Sequence, residues 1–143
     1  MRFIAFTSEE PRGPGDALHH FGSKAYVRRL DGPERAAVRA MVSLDRVGAR
    51  GRAVLLCTGG IGTTRVRGRL ADVAREVDVP TTVCADNRAS DHWSFERAEL
   101  PAARVGSIPY AAYHSARDLP RVVDRRQLKR VGAIMYAWLA PPD

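Results

Sequence analysis

The residues Ala53-Val54-Leu55-Leu56-Cys57 form an apolar run with no polar interruption. A strand made only of apolar residues has to be buried on both faces, unlike a strand in which apolar and polar side chains alternate. Such a strand belongs inside a sheet that is covered on two sides. This run therefore constrains the fold strongly, because it predicts a sheet that lies between layers of helices.

Other β-prone runs alternate along the chain with segments whose apolar residues recur at helical spacing. Strands are predicted at residues 2–6, 41–45, 53–57, 80–85 and 102–108. Helices are predicted at residues 23–30, 33–41, 63–79 and about 124–139. This alternation predicts an α/β fold, a three-layer sandwich with a mixed, mostly parallel central sheet, in a single domain that spans residues 1–143.

The net charge of +7 follows from 23 Lys and Arg residues against 16 Asp and Glu residues. A charge of this size suits a nucleic-acid partner. However, the arginines are scattered and interleaved with acidic residues, and only Lys24 and Lys129 are lysines. A GC-rich coding sequence produces that bias without selection for a ligand, so a nucleic-acid-binding module is the weaker alternative.

The sequence contains no apolar run near the ~20 residues that a membrane-spanning helix needs, so no membrane partner is expected. Residues 1–6 are too short for the apolar stretch of a signal peptide.

The two cysteines, Cys57 and Cys84, are too few for a disulfide scaffold and too far apart for a zinc knuckle. They are predicted to be free, buried thiols.

Several chemically reactive residues follow predicted strands or lie in predicted loops, where a sheet typically presents its ligand-binding side chains. These are Glu9, Glu10, Asp45, Asp91, His92, Tyr113 and His114. Carboxylates and an imidazole that converge would need a counter-charge, and a divalent metal supplies it. Carboxylate and histidine donors without cysteine are typical of zinc in a catalytic site.

Each of these signals alone has an ordinary structural interpretation. A pair of glutamates is usually a solvated loop. Asp45 could be a turn residue or a helix cap, Asp91 could cap a helix that contains Trp93 and Phe95, and His114 could be a polar residue beside a turn.

The order of the motifs resembles that of the zinc aminopeptidase family that includes the bacterial leucyl aminopeptidases. The similar segments are Phe-Thr-Ser-Glu-Glu at 6–10, His-Phe-Gly-Ser-Lys-Ala-Tyr-Val at 20–27, Leu-Asp-x-Val-Gly at 44–48, Ser-Asp-His at 90–92, and Tyr-His-Ser at 113–115 with Asp118. They cover nearly the whole chain in the family's order.

The resemblance implies a site with two zinc ions and a peptide or small amide substrate. By this resemblance, Glu9 is the general base, Glu10 and Asp45 bind one zinc, and His114 binds the other. Tyr113 corresponds to the tyrosine that donates a hydrogen bond to the developing oxyanion. Asp91 and His92 correspond to residues that order the loop without touching the metal. The implied function is that of a metal-dependent exopeptidase, which hydrolyses terminal peptide bonds through a zinc-activated water.

The sequence also departs from the family's pattern. Family members carry, before the Glu-Glu strand, a His-x-Asp segment that supplies a histidine ligand and the carboxylate bridging both metals. No match to that segment is found, so we expect a domain truncated at its N-terminus, with one zinc ion or none and impaired activity. An exposed sheet edge that favours self-association is expected as well.

Two further departures concern the neighbourhood of the expected ligands. Arg46 replaces the usual apolar residue beside Asp45, where it could act on that carboxylate or point into solvent. His19 and His20 are predicted to be exposed in a loop rich in Gly and Pro.

The alternative function is a non-catalytic remnant, or a half-domain that works only with a partner.

Overall fold

The computed structural model describes residues 1–15, 18–107, 110 and 112–140. In this part of the chain the strands are β1 (Met41–Asp45), β2 (Val54–Cys57), β3 (Thr81–Cys84) and β4 (Ala102–Gly106). The α-helices are α1 (Phe21–Arg29), α2 (Gly32–Ala37), α3 (Arg65–Glu76), α4 (His92–Glu96) and α5 (Arg125–Leu139), and Pro120–Val122 forms a short 3-10 helix. The helices of these described residues include none long and apolar enough to cross a bilayer.

The four strands form one mixed sheet in the order β1-β4-β2-β3. The pairs β1/β4 and β2/β3 are parallel, and the central pair β2/β4 is antiparallel. The register places Asp45 beside Gly106 at the carboxyl ends of β1 and β4. The loops that follow β1 and β4 therefore begin side by side at the same end of the sheet.

Helices cover both faces of this sheet, which confirms the predicted α/β sandwich. On one face, α3 and α5 bury a cluster that includes Val54, Leu56, Leu70 and Ile134. On the other face, α1 and α4 pack through residues such as Val27, Phe95 and Ala102. The predicted burial of the apolar run is also observed, since Val54, Leu56 and Cys57 are fully buried.

The first predicted strand is wrong. Residues 2–6 form no strand, although they are β-prone. Instead, the ring of Phe6 packs against Tyr26 of α1 and Phe95 of α4, with centroid distances of 5.6 and 6.2 Å. Arg2 forms an ion pair with Glu34, at 3.2 Å between Nη1 and Oε1. Side-chain contacts with helices thus fix this segment in place of a ladder with a neighbouring strand.

The prediction of two free thiols is also wrong, because Cys57 and Cys84 form a disulfide. The two residues are register partners on the parallel strands β2 and β3, and their Cα atoms lie 4.6 Å apart. The number of cysteines in a sequence does not show which residues the strand register will pair. Here the register brings together two cysteines separated by 27 positions. The disulfide ties the edge strand β3 to the interior of the sheet.

We expect reduction of this disulfide to destabilise the fold. Closing a loop of this length restricts the unfolded chain by an amount worth about 3–4 kcal/mol. Urea denaturation with and without a reductant should show that loss in the free energy of unfolding. A Cys57→Ala/Cys84→Ala variant should match the reduced protein and respond to reductant no further. An equal stability of the oxidised and reduced protein would contradict the prediction.

Gly106 should not tolerate a side chain, because a Cβ atom there would overlap the carbonyl oxygen of Asp45. We expect Gly106→Ala to lower the free energy of unfolding by about 1–3 kcal/mol through this steric conflict. Gly132→Ala in α5 is the matched control, since a Cβ there meets nothing within 4 Å. That control should be neutral or stabilising by up to about 1 kcal/mol in the same urea denaturation.

Candidate active site

Glu9 and Glu10 lie on a segment that is tied to the start of α1. The amides of His20, Phe21 and Gly22 donate to the carbonyls of Glu9, Ser8 and Thr7 at 3.0, 2.9 and 3.1 Å. Gly22 allows this approach, because a Cβ atom there would overlap the carbonyl oxygen of Thr7. The Gly-Ser start of α1 therefore positions both glutamates.

Glu9 contacts His20, which is almost fully buried at 2% exposure. Nε2 of His20 lies 3.3 Å from Oε1 of Glu9. The prediction that His20 is exposed is therefore wrong. The cause is the backbone pairing between residues 7–9 and 20–22, which folds the Gly- and Pro-rich loop back onto the first glutamate. Sequence spacing alone does not show such a pairing.

The carboxyl of Glu9 is held in its ionised form. Burial by itself raises the pKa of Glu9, but His20 opposes that effect through its hydrogen bond and its charge. The charges of Arg46 and Arg104 act in the same direction, and the pKa of Glu9 is lowered overall. At neutral pH this carboxylate is available to accept a proton.

Asp45, at the carboxyl end of β1, is paired with two arginines. Its Oδ2 lies 3.0 Å from Nε of Arg104 and 3.4 Å from Nη2 of Arg46. The guanidinium of Arg46 also lies over the ring of Tyr113, 4.8 Å from the centroid. Of the two orientations considered for Arg46, the structure therefore shows the one directed at Asp45.

Glu10 and His114 lie in contact although 104 positions separate them in the sequence. Nε2 of His114 is 3.0 Å from Oε1 of Glu10, and both side chains are about half-exposed. The ring of Tyr113 stacks on that of His114 with a centroid distance of 3.8 Å. Burial raises the pKa of Tyr113, and the negative charges of Glu10, Asp45 and Glu9 raise it further against the effect of Arg46.

Asp91 and His92 lie at the start of α4, where Asp91 is close enough to interact electrostatically with Glu9, His20 and Asp45. Asp91 stands at the cap position, but its side chain makes no capping hydrogen bond. Burial raises the pKa of Asp91. His92 is fully buried, and its Nε2 lies 2.8 Å from the carbonyl oxygen of Asn87. Their role in ordering the loop stays a prediction.

Sequence reasoning missed Arg104, the largest fully buried side chain of the described residues. Its Nη1 donates to Oδ1 of Asn87 at 3.1 Å, and its Nη2 donates to the carbonyl of Ser107 at 2.7 Å. The sequence does contain a signal for this residue, because Arg104 is the single charged residue in the β-prone run 102–106. A charge in a buried strand requires partners.

The metal donors are only partly assembled in the described residues. Glu10 and His114 are positioned as a pair, whereas the carboxylate of Asp45 faces Arg46 and Arg104. Across residues 1–15, 18–107, 110 and 112–140, no group of three His, Cys, Asp or Glu side chains is placed to hold a metal ion. The pair of Glu10 and His114 fits a divalent ion, although the resemblance assigned these two residues to different zinc ions. Asp45, assigned to the same zinc as Glu10, contacts two arginines instead.

A model of the peptidase family M28 matches residues 1–139, almost the entire chain. The chain belongs to peptidase family M28. This membership agrees with the resemblance carried by the ordered motifs. A search of curated protein sequences finds no significant match.

Solved structures show the same fold. A zinc aminopeptidase from Bacillus subtilis is 20% identical with a TM-score of 0.72, and the match covers 81% of this chain and 31% of that one. An aminopeptidase from Aneurinibacillus sp. is 24% identical with a TM-score of 0.68, over 85% and 32% of the two chains. A glutaminyl cyclase from an Acidobacteriales bacterium is 14% identical with a TM-score of 0.76, over 91% and 48%. This M28 chain thus spans between 31% and 48% of the length of these proteins.

Burial of His92 should make the stability of this M28 chain depend on pH. Burial lowers the pKa of His92 from 6.5 to about 4. Between these values the unfolded chain binds a proton that the folded protein does not, so stability falls as the pH drops from 6.5 towards 4. The loss attributable to His92 should reach about 3 kcal/mol.

Urea denaturation at pH 7 and pH 4.5 measures this effect. His92→Gln should remove most of the difference between the two pH values, whereas His19→Gln should preserve it. An unchanged pH dependence in His92→Gln would show that other groups cause it.

Proposed function

We propose that this chain acts in a metal-dependent exopeptidase of the aminopeptidase type, which hydrolyses terminal peptide bonds. The observation that carries the proposal is the contact between Glu10 and His114, at 3.0 Å, immediately beside the ionised Glu9. Family M28 membership and the zinc aminopeptidases among the structural neighbours support the same reaction class.

Glu9 is proposed as the proton acceptor for the attacking water. A general base has to be unprotonated at the working pH and must lie at the reacting atoms. The lowered pKa of Glu9 meets the first condition. Its side chain is 29% exposed and can therefore be reached by water, and the next residue, Glu10, contacts His114. His20 holds one oxygen of the carboxylate, which leaves the other oxygen to take the proton.

Tyr113 is proposed to donate a hydrogen bond to the oxygen that becomes negative during hydrolysis. Its raised pKa keeps the phenol protonated at neutral pH, as a donor requires. The stacked ring of His114 and the guanidinium of Arg46 hold the ring of Tyr113 from two directions. Such a donor is typically worth a few kcal/mol in the transition state.

Glu10 and His114 would hold a zinc or similar ion. When bound, that ion would supply a Lewis acid and an acidified water. A catalytic zinc site commonly has three protein ligands. The described residues provide this pair, so the affinity for the ion is expected to be modest.

A second candidate function is that of a subunit that becomes catalytic only when it pairs with another polypeptide. The observation in its favour is the same two-donor pair, which a ligand from a partner could complete. Turnover by the purified chain in the presence of zinc would exclude this alternative.

Glu9→Gln should abolish hydrolysis of an aminoacyl-anilide substrate, with kcat falling by about 10²–10⁴-fold, because the variant cannot accept the proton. The measurement is the release of the anilide in zinc-containing buffer. Zinc content should stay unchanged, since Glu9 is not assigned as a ligand.

The matched control is Glu34→Gln, which removes the same charge from α2, where Glu34 contacts Arg2. It should keep full turnover. Turnover retained in Glu9→Gln would reject the assigned base, and absence of turnover in the unaltered chain with zinc would favour the partner-dependent alternative.

A further inference from the structure

Arg104 occupies an uncommon place for a charged side chain. It lies in the middle of β4, a strand buried along its entire length, and its own side chain is 1% exposed. Burying a guanidinium is costly unless it is paired with an opposite charge and hydrogen-bonded. We therefore expect the fold to place oxygen atoms around the guanidinium of Arg104.

Each nitrogen of this guanidinium faces an oxygen from a different segment. Nε lies 3.0 Å from Oδ2 of Asp45, Nη1 donates to Asn87, and Nη2 donates to the carbonyl of Ser107. The two hydrogen bonds from Nη1 and Nη2 hold the guanidinium beside Asp45, because turning it away would leave buried polar groups unpaired. Arg104 is a fixed neighbour of that carboxylate.

Arg46 adds a second guanidinium at the same oxygen of Asp45, with Nη2 at 3.4 Å. Its side chain is 9% exposed, and it is also held over the ring of Tyr113. Two guanidiniums together carry the charge of one divalent cation. An ion at Asp45 would have to displace one of them or lie beside both and be repelled.

We infer that Arg104 and Arg46 take the place of a cation at Asp45. Asp45 is then not a metal ligand in this protein. A divalent ion binds only at Glu10 and His114, and Arg104 is a positioning residue for the end of β1. The Glu10–His114 ion rests on the proposed function, whereas the pairing of Asp45 with Arg104 rests on the geometry alone.

Calorimetric titration of the metal-free, full-length chain with zinc tests this inference. We expect at most one ion per chain. Asp45→Asn should change the zinc affinity by less than threefold, because by this inference no metal ligand is lost. Glu10→Gln should weaken zinc binding by at least tenfold. Two ions per wild-type chain, or a tenfold loss in Asp45→Asn, would overturn the inference.

A double-mutant cycle tests the ion pair without metal. Asp45→Asn and Arg104→Met are combined, and unfolding is followed in urea. If the two residues are partners, the double variant should be more stable than the sum of the single effects by at least tenfold in the unfolding equilibrium constant. Additive effects would overturn the pairing. Arg35→Met, which removes a part-buried arginine whose guanidinium contacts the carbonyl of Ala98, is the control and should be additive with Asp45→Asn.

The two measurements distinguish a failure of this inference from a failure of the proposed function. Absence of zinc binding to the wild-type chain would refute the metal dependence in the proposed function, and the cycle would still decide whether Arg104 is the partner of Asp45. Should Arg104→Met fail to fold, Arg104→Gln, which loses the charge but keeps a polar donor, replaces it in the cycle, while the titration needs only Asp45→Asn.

Discussion

The pairing of Asp45 with Arg104 fixes the carboxyl ends of β1 and β4, and the rest of the candidate site is built around that point. Gly106 lets the backbone of Asp45 approach closely, and Arg104 reaches across from the same strand. Arg104 also holds the 85–91 loop through Asn87, and the hydroxyl of Ser107 donates to the carbonyl of Arg46 at 2.8 Å. One buried guanidinium therefore connects both strand ends to the loops that carry Asp91 and Tyr113.

The site is assembled from segments that are far apart in the sequence, and each is fixed by a different kind of contact. Backbone pairing with the start of α1 places Glu9 and Glu10. The parallel register of β1 and β4 places Asp45. Ring stacking and a guanidinium place Tyr113 and His114. These supports meet in shared contacts, because Arg46 reaches both Asp45 and Tyr113, and His114 reaches Glu10.

The helices and strands whose apolar residues follow a clear pattern were predictable from the sequence. The helix predicted at 63–79 is observed as α3, whose residues Val66, Leu70, Val73 and Ala74 are buried, and most of the apolar run at 53–57 lies inside the sheet. The motifs also allowed the family to be identified before any geometry was known. Long-range pairing was not predictable: the disulfide depends on strand register, the burial of His20 depends on a loop folding back, and residues 2–6 pack on helices despite their β-propensity. Local preference does not determine which distant residues meet.

A buried ion pair is weak evidence for stability, since two apolar side chains of similar volume often serve a fold equally well. The contribution of Arg104 and Arg46 is better sought in the electrostatics of the site. Both charges lower the pKa of Glu9. Metal ions commonly supply the positive potential that keeps a neighbouring carboxylate ionised, and they do so only while bound. Here His20, through its hydrogen bond and charge, and the guanidiniums of Arg46 and Arg104 lower the pKa of Glu9, so groups built into the fold favour its ionised form. Under the proposed function, the fold itself keeps the proposed base ionised, and an ion at Glu10 and His114 would act on water and substrate.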